Sequence, residues 1–384
     1  MFKSAIITDI FSVNNISTCY KSLPLNGTCW QLIVNIKTHT YRHFRQLKRN
    51  AHNNIMKTKQ GTIKCPSTEL NLGITLKGGQ SFRWFSHNNG YRGVFDGCVW
   101  TLTQNDTHIS YTVQGPLLED KNYQDILYKY FRLDVSLKDE CQKWAAVDKH
   151  FKETLDSTDG VRILHQDVVE NLFSFICSSN NNIKRISRMV ENLCTLFGEK
   201  ICSIDDKEYY NFPSIEALTA KSVESKLKEE KFGYRAGYIA NAAKRLNELG
   251  GREWLLNLHK RNDVPYAKAK EQLITLPGIG PKVADCVCLM SLGNLEAIPV
   301  DTHIFQIARK NYLPHLKQTK TITPRTHEEV SNYLRELWGP LAGWAQAIVF
   351  CAKINDTATL TTMNHKRRNS GNTKQPKRMK NPKR

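Results

Sequence analysis

Between Gln80 and Gln114 apolar and polar residues alternate in short runs. Ser81–Phe85, Tyr91–Phe95, Cys98–Gln104 and Thr107–Val113 are rich in β-branched and aromatic residues. The pairs Asn89-Gly90, Asp96-Gly97 and Asn105-Asp106 separate them as hairpin turns. This predicts an antiparallel meander. From Tyr123 onward the period lengthens to that of helices, as in Val168–Ile176 and Ile183–Leu196. Pro213, Gly233, Gly250-Gly251 and Pro265 punctuate the helical stretch. Strands followed by helices argue an α+β fold, with a β-rich domain over 69–160 and a helical domain over 161–358. No internal repeat is visible.

One turn inside the helical stretch carries chemistry. Tyr266 to Ile274 reads as helix, and Leu276-Pro277-Gly278-Ile279-Gly280-Pro281-Lys282 follows. Gly278 and Gly280 allow backbone angles that a β-carbon opposes. Pro281 suits the first position of the next helix, where Val283, Ala284, Val287, Cys288 and Met290 recur at helical spacing. The result is a helix-hairpin-helix over 266–290. Free N–H groups at such a helix start favour an anion, here a nucleic-acid phosphate. The plainer reading is a glycine-stopped helix pair in a core.

Lys282 falls in the first turn of the second helix. The positive end of the helix dipole opposes an ammonium there, and partial burial acts the same way, so both favour a free amine lone pair. Cys286 lies one turn further on the same face, though alone it reads as a core residue. Asp301, after the apolar run Ala297-Ile298-Pro299-Val300, can cap a helix from Thr302 to Arg309. The same carboxylate can stabilise a cationic intermediate or orient an amine. Together these residues suggest an enzyme that holds a DNA backbone and attacks a sugar carbon with a lysine.

These motifs resemble the helix-hairpin-helix DNA glycosylases. Further matches are Gly79-Gln80-Ser81-Phe82-Arg83-Trp84, Ser178-Ser179-Asn180-Asn181-Asn182-Ile183, Gly233-Tyr234-Arg235-Ala236, and Trp338-Gly339-Pro340 with Gly343-Trp344-Ala345-Gln346-Ala347. They narrow the resemblance, from about Glu69 to Phe350, to the eukaryotic 8-oxoguanine DNA glycosylase/lyases. That family implies a sheet packed on a helical domain, with DNA held in a helical cleft.

The resemblance also implies roles. Lys282 would attack the sugar C1′, expel the base and form a Schiff base, with Asp301 assisting. Gly79 would offer its carbonyl to the N7–H of 8-oxoguanine, Gln346 would read its pairing edge, and Phe350 and Cys286 would sandwich its ring. His303 would contact a phosphate. Asn180, Arg185 and Arg235 would hold the widowed cytosine, with Tyr234 wedged into the stack. Phe350 and Trp344 also read as core, and Asn180 to Asn182 as a helix cap. One departure stands out: Lys353 occupies the place of an aspartate that in the family helps to orient the histidine matching His303.

Charge distribution refines the partner. The net charge is +19, but residues 1–68 hold ten Lys/Arg against one acid, and 364–384 hold nine against none. The remainder holds 36 against 35, so the body must bind DNA through local patches and backbone amides. The expected partner is double-stranded DNA with 8-oxoguanine opposite cytosine, bound by a monomer, with other repair proteins as further partners. Residues 1–68 and 359–384 read as disordered basic tails. The first is compatible with a mitochondrial transit segment, or with an unstructured extension before an alternative start at Met56. Lys366-Arg367-Arg368 and Lys377-Arg378 read as a nuclear address or as non-specific DNA contact. Eleven cysteines without a C-x-x-C fit a reducing compartment. No iron–sulfur cluster, zinc or other cofactor is expected. No apolar stretch long enough to span a bilayer is evident, so no membrane is expected.

Two other readings stay open. One is a related bifunctional glycosylase for another damaged base. The other is a non-catalytic hairpin module, which needs the glycines but has no use for Lys282 opposite Asp301.

Overall fold

The computed structural model describes residues 56–155 and 158–354. The meander forms as the turn residues dictate. β2 (Trp84–His87), β3 (Gly90–Phe95), β4 (Cys98–Gln104) and β5 (His108–Gly115) follow one another antiparallel. Asp96 and Gly97 both take positive φ, +51° and +71°, the two-residue hairpin geometry that matches strand twist. The first strand begins three residues later than Ser81. The segment Gln80 to Arg83 is instead buried and bonded towards the helical domain.

Residues 57–68 correct the expected disordered extension. Lys57–Lys64 forms β1, antiparallel to β5, with Lys57 opposite Gly115 and Lys64 opposite His108. The sheet order is β1-β5-β4-β3-β2. Only Ile63 of this strand is buried, so its lysine-rich sequence reads as a tail. Lysines on an edge strand are a common guard against pairing with another chain. Residues 1–55 and 355–384, with the targeting runs read in them, lie outside the described residues.

Helices α1 (Leu72–Lys77) and α2 (Tyr123–Tyr130) cover one face of the sheet. α3 (Leu137–Val147) and α4 (Lys149–Thr154) lead into the helical domain, where α5 (Val168–Cys177) is buried at every position but Glu170. α6 (Ile183–Phe197) follows, then a hairpin of β6 (Lys200–Ile204) and β7 (Lys207–Tyr210) that sequence patterning missed. Its Asp205-Asp206 turn again has two positive φ values. The hairpin packs Ile201, Ile204 and Tyr209 against Val94 and Val99 of the sheet.

The remaining helices are α7 (Val223–Glu229), α8 (Arg235–Leu249), α9 (Gly251–Asn257), α10 (Tyr266–Ile274), α11 (Pro281–Met290), α12 (Thr302–Asn311), α13 (Pro324–Trp338) and α14 (342–354). The tract Pro324–Ile354 is, by length and composition, apolar enough to cross a bilayer, which departs from the sequence reading. It is broken at Gly339-Pro340, and most of its apolar window is buried in the core.

A short extended segment stitches the two domains together. Gln80 Nε2 donates to the Arg162 carbonyl at 2.7 Å, and Leu164 N donates to Gln80 Oε1 at 3.0 Å. Gln166 Nε2 donates to the Gln80 carbonyl at 2.9 Å, while Gln166 N donates to the Met290 carbonyl at 2.9 Å. Thus the loop before β2 is tied to the far end of α11. Arg162 is 1% exposed and reaches back to the carbonyls of Glu69, Arg132 and Val135 and to the Glu69 carboxylate, at 2.6 to 2.9 Å.

Candidate active site

α10, the turn 275–280 and α11 form the hairpin. Gly278 has φ +79°, and a β-carbon on it would lie 2.6 Å from Tyr238 Cβ and Cγ. Only glycine satisfies both the angle and the space. Gly280 differs from expectation: its φ of −96° suits any residue. Its value is open space, since a β-carbon there would meet nothing within 4 Å. α11 starts with Pro281 and has no side-chain cap, so its first N–H groups face outward for an anion.

Lys282 sits half-buried at that helix start. Its Nζ donates to Ser178 Oγ at 3.2 Å and lies 4.6 Å from the centre of the Phe175 ring. Both partners come from α5 and its C-cap, so the amine is held against a buried helix rather than left in solvent. Cys286 is buried one turn along. Burial pushes its thiol up to about 11, with Lys282 pulling the other way and Asp285 and Asp301 adding to the rise. At neutral pH it is a neutral, polarisable wall. The same sulfur therefore feels the Lys282 amine and the Asp301 carboxylate.

Asp301 caps α12. Its Oδ1 accepts from His303 N and Ile304 N, both at 2.9 Å. The capping role expected from sequence is present, and the second oxygen makes no contact with these amides. His303 meets Phe350 edge-on, with ring centroids 5.9 Å apart. Phe350 lies one turn after buried Gln346 on α14. Gly79, at φ +77°, faces the same ring: a β-carbon there would lie 3.8 Å from Phe350 Cε1 and 3.3 Å from Ile183 Cδ1. Gly79, Phe350, Ile183 and His303 thus enclose one corner. Lys353 is exposed three residues past Phe350.

A second group gathers beyond α5. Asn180 is exposed in a left-handed conformation, φ +46°, and Asn182 caps α6 by accepting from Arg185 N at 3.0 Å. Arg185 is exposed and donates to the Lys231 carbonyl at 3.0 Å. Tyr234 is exposed, and its hydroxyl donates to the Ser179 carbonyl at 3.1 Å. Arg235 is the residue expected to hold the widowed cytosine with Asn180 and Arg185. It is buried and donates to the carbonyls of Ser179, Asn180 and Phe232. Four of its five N–H groups are so engaged, and its guanidinium covers the Tyr234 ring at 4.5 Å. In this arrangement it shapes the 178–182 loop that presents Asn180.

Sequence reasoning missed the carboxylate that fixes the hairpin. Asp285 is fully buried on α11. It accepts from Tyr266 Oη at 2.6 Å and pairs with Lys270 Nζ at 2.9 Å, both on α10. Burial holds Asp285 up at about 6 although Lys270 and Tyr266 pull it down. His327 Nε2, from α13, lies 3.3 Å from Oδ2 without hydrogen-bond alignment. Burial, and after it Lys270, pushes His327 down to about 4, so the imidazole is neutral at physiological pH. The signal was available: an acid inside the apolar run Val283 to Met290. Phe175 left no such signal, and Ser178 and Ile183 stood in the family motif without a role, because only packing brings them to the site.

A hairpin at a helix start, an amine held beside it, and an aspartate-capped helix nearby define a base-excision DNA repair protein of the helix-hairpin-helix class. The comparisons agree. Residues 62–172 match the family model described as 8-oxoguanine DNA glycosylase, N-terminal domain, and residues 173–340 that of the HhH-GPD superfamily base excision DNA repair proteins. The N-glycosylase/DNA lyase of Saccharomyces cerevisiae is 36% identical over 340 residues, spanning 80% of this chain and 89% of the relative. The N-glycosylase/DNA lyase OGG1 of Arabidopsis thaliana is 38% identical over 303 residues, 78% of this chain and 81% of that one. A solved structure of the Clostridium acetobutylicum 8-oxoguanine glycosylase/lyase, in complex with double-stranded DNA containing cytosine opposite 8-oxoguanine, superposes with a TM-score of 0.66 at 26% identity. It covers 79% of this chain and 99% of that one. The chain belongs to the 8-oxoguanine N-glycosylase/DNA lyase family.

Proposed function

We propose that this protein, acting as a monomer, extrudes and excises 8-oxoguanine opposite cytosine from duplex DNA and then nicks the abasic strand. The observation that carries the reading is the Lys282 amine, held against Ser178 and Phe175 at the mouth of the phosphate-binding hairpin. The amine attacks C1′ and the bond from C1′ to the base nitrogen breaks, the base leaving with the bonding pair and gaining a proton. Ring opening gives a protonated imine on Lys282. Loss of a C2′ proton then expels the 3′ phosphate by β-elimination, and water releases the sugar and restores the amine. Asp301 stabilises the positive charge that develops at the sugar and on nitrogen. Phe350, Cys286 and Gln346 enclose the base, Asn180 and Arg185 face the unpaired cytosine, Tyr234 fills the gap, and His303 holds a phosphate. The basic runs in 1–55 and 355–384 carry nuclear delivery and any mitochondrial share.

Borohydride trapping on duplexes with several lesion–base pairs tests the reading. A covalent adduct with 8-oxoguanine opposite cytosine is expected, and its absence there would overturn it. Asp301→Asn keeps a capping oxygen and removes the charge. It should slow excision by roughly 10²-fold or more with little change in melting temperature. Unchanged excision would reduce Asp301 to a cap.

Gly79→Ala tests the base corner. Alanine is disfavoured at φ +77°, and its β-carbon would crowd Ile183 and touch the Phe350 ring. Excision of 8-oxoguanine should fall by about tenfold, on the scale of one crowded or lost pocket contact. Activity equal to the parent would remove the Gly79 backbone from the account of lesion choice.

A further inference from the structure

Two exposed tyrosines stand at the start of α8. Tyr234 and Tyr238 are one helical turn apart and share a face, with exposures of 53% and 42%. Their rings meet edge to face, centroids 5.7 Å apart at 72°. Tyr234 is further fixed by its hydroxyl on the Ser179 carbonyl and by the Arg235 guanidinium over its ring. Tyr238 has a different second contact. The 2.6 Å that separates a β-carbon on Gly278 from Tyr238 Cβ and Cγ places the root of this side chain directly on the bare hairpin backbone. Tyr238 therefore spans from the hairpin to the Tyr234 ring.

We infer that Tyr238 is a positioning residue for base extrusion: a strut that holds the Tyr234 wedge at a fixed offset from the phosphate-gripping hairpin. The inference rests on the reading of Tyr234 as the wedge. A ring that fills a vacated stack must arrive in one place, because unstacking the target base costs several kilocalories per mole and a swinging ring offsets little of it. The hairpin fixes the backbone, and Lys282 is four residues beyond Gly278. A strut between wedge and hairpin thus keeps the gap, the gripped phosphate and the amine in one frame. An abasic nucleotide has no base to unstack, so its cleavage depends less on the strut.

The full chain is assayed three ways: single-turnover excision of 8-oxoguanine opposite cytosine, fluorescence of 2-aminopurine beside the lesion as a report of unstacking, and nicking of a preformed abasic duplex. Tyr238→Ala should lower excision and the unstacking signal by about fivefold to tenfold, the scale of one aromatic edge contact. Abasic nicking should fall by less than about twofold, since no base is extruded. Tyr238→Phe should behave as the parent, because ring and Cβ make the contacts described. Tyr238→Leu, which keeps bulk on Gly278 and loses the ring edge, should behave like Tyr238→Ala and serves if the alanine variant folds poorly. Tyr234→Ala is measured alongside. If it suppresses unstacking while the Tyr238 variants do not, the strut is overturned and the wedge stands. A parallel fall of excision and abasic nicking in the Tyr238 variants also overturns the strut. If neither position alters unstacking, the wedge reading falls and the strut with it.

Discussion

Lys282→Gln is expected to bind lesion-containing duplex as the parent does, to give no borohydride adduct, and to lose base excision by on the order of 10⁴-fold or more, the scale seen when a covalent nucleophile is removed. The two halves of this expectation have separate physical origins. On the proposed reading, binding rests on backbone N–H groups at the start of α11, which has no side-chain cap, and on the open space at Gly280, neither of which changes. A glutamine amide can still donate to Ser178 Oγ, the partner that Lys282 Nζ holds at 3.2 Å. The chemistry rests on an amine lone pair, which an amide lacks, so no imine forms. Electrophoresis after borohydride reduction and a filter-binding titration check the two halves independently. An adduct of parental yield would place the nucleophile elsewhere; lost binding would make Lys282 a phosphate grip instead.

The second large effect concerns stability. Arg162→Met should lower unfolding free energy by about 3–5 kcal/mol, the usual consequence of breaking one side of a buried ion pair. Methionine fills similar space but leaves the Arg132 and Val135 carbonyls and the Glu69 carboxylate without the donors that now serve them. Part of the loss is moderated because the Glu69 side chain is 24% exposed and also accepts from Leu137 N and Lys138 N. The melting temperature should drop by on the order of 10 °C for a chain of this size. Calorimetry checks this, and a shift of only a degree or two would show that the seam is held by the Gln80 bonds instead. The Glu69→Gln variant, compared alone and in combination, separates the ion pair from the carbonyl contacts.

Much of the architecture was legible from local pattern. α10 spans Tyr266–Ile274 as its helix formers dictate, and α5 and α6 end within one residue of the apolar periodicity. These elements agree with their own propensities. β1 does not: three lysines on an edge strand look like a tail until β5 is beside them. The β6–β7 hairpin is only five and four residues long and was hidden among helices. At the site, Lys282 and Gly278 were legible from the hairpin itself, Asp301 from its place as a helix cap, and Gly79 through the family motif. The contacts of Ser178, Phe175, Tyr266 and Lys270 were not, because their partners lie 15 to 107 residues away in sequence. Arg235 was legible from its motif, but its carbonyl partners were not.

Gly79 hangs from the sheet side of the seam, through Gln80, whereas Lys282 belongs to the hairpin. The Gly79 corner and the Lys282 amine therefore rise from separate modules that meet along one line of hydrogen bonds. Inheritance can act on them unequally. Drift in the loop before β2 can reshape that corner while the amine and its carboxylate stay intact, whereas Phe350, Gln346 and Cys286 travel with the helical domain.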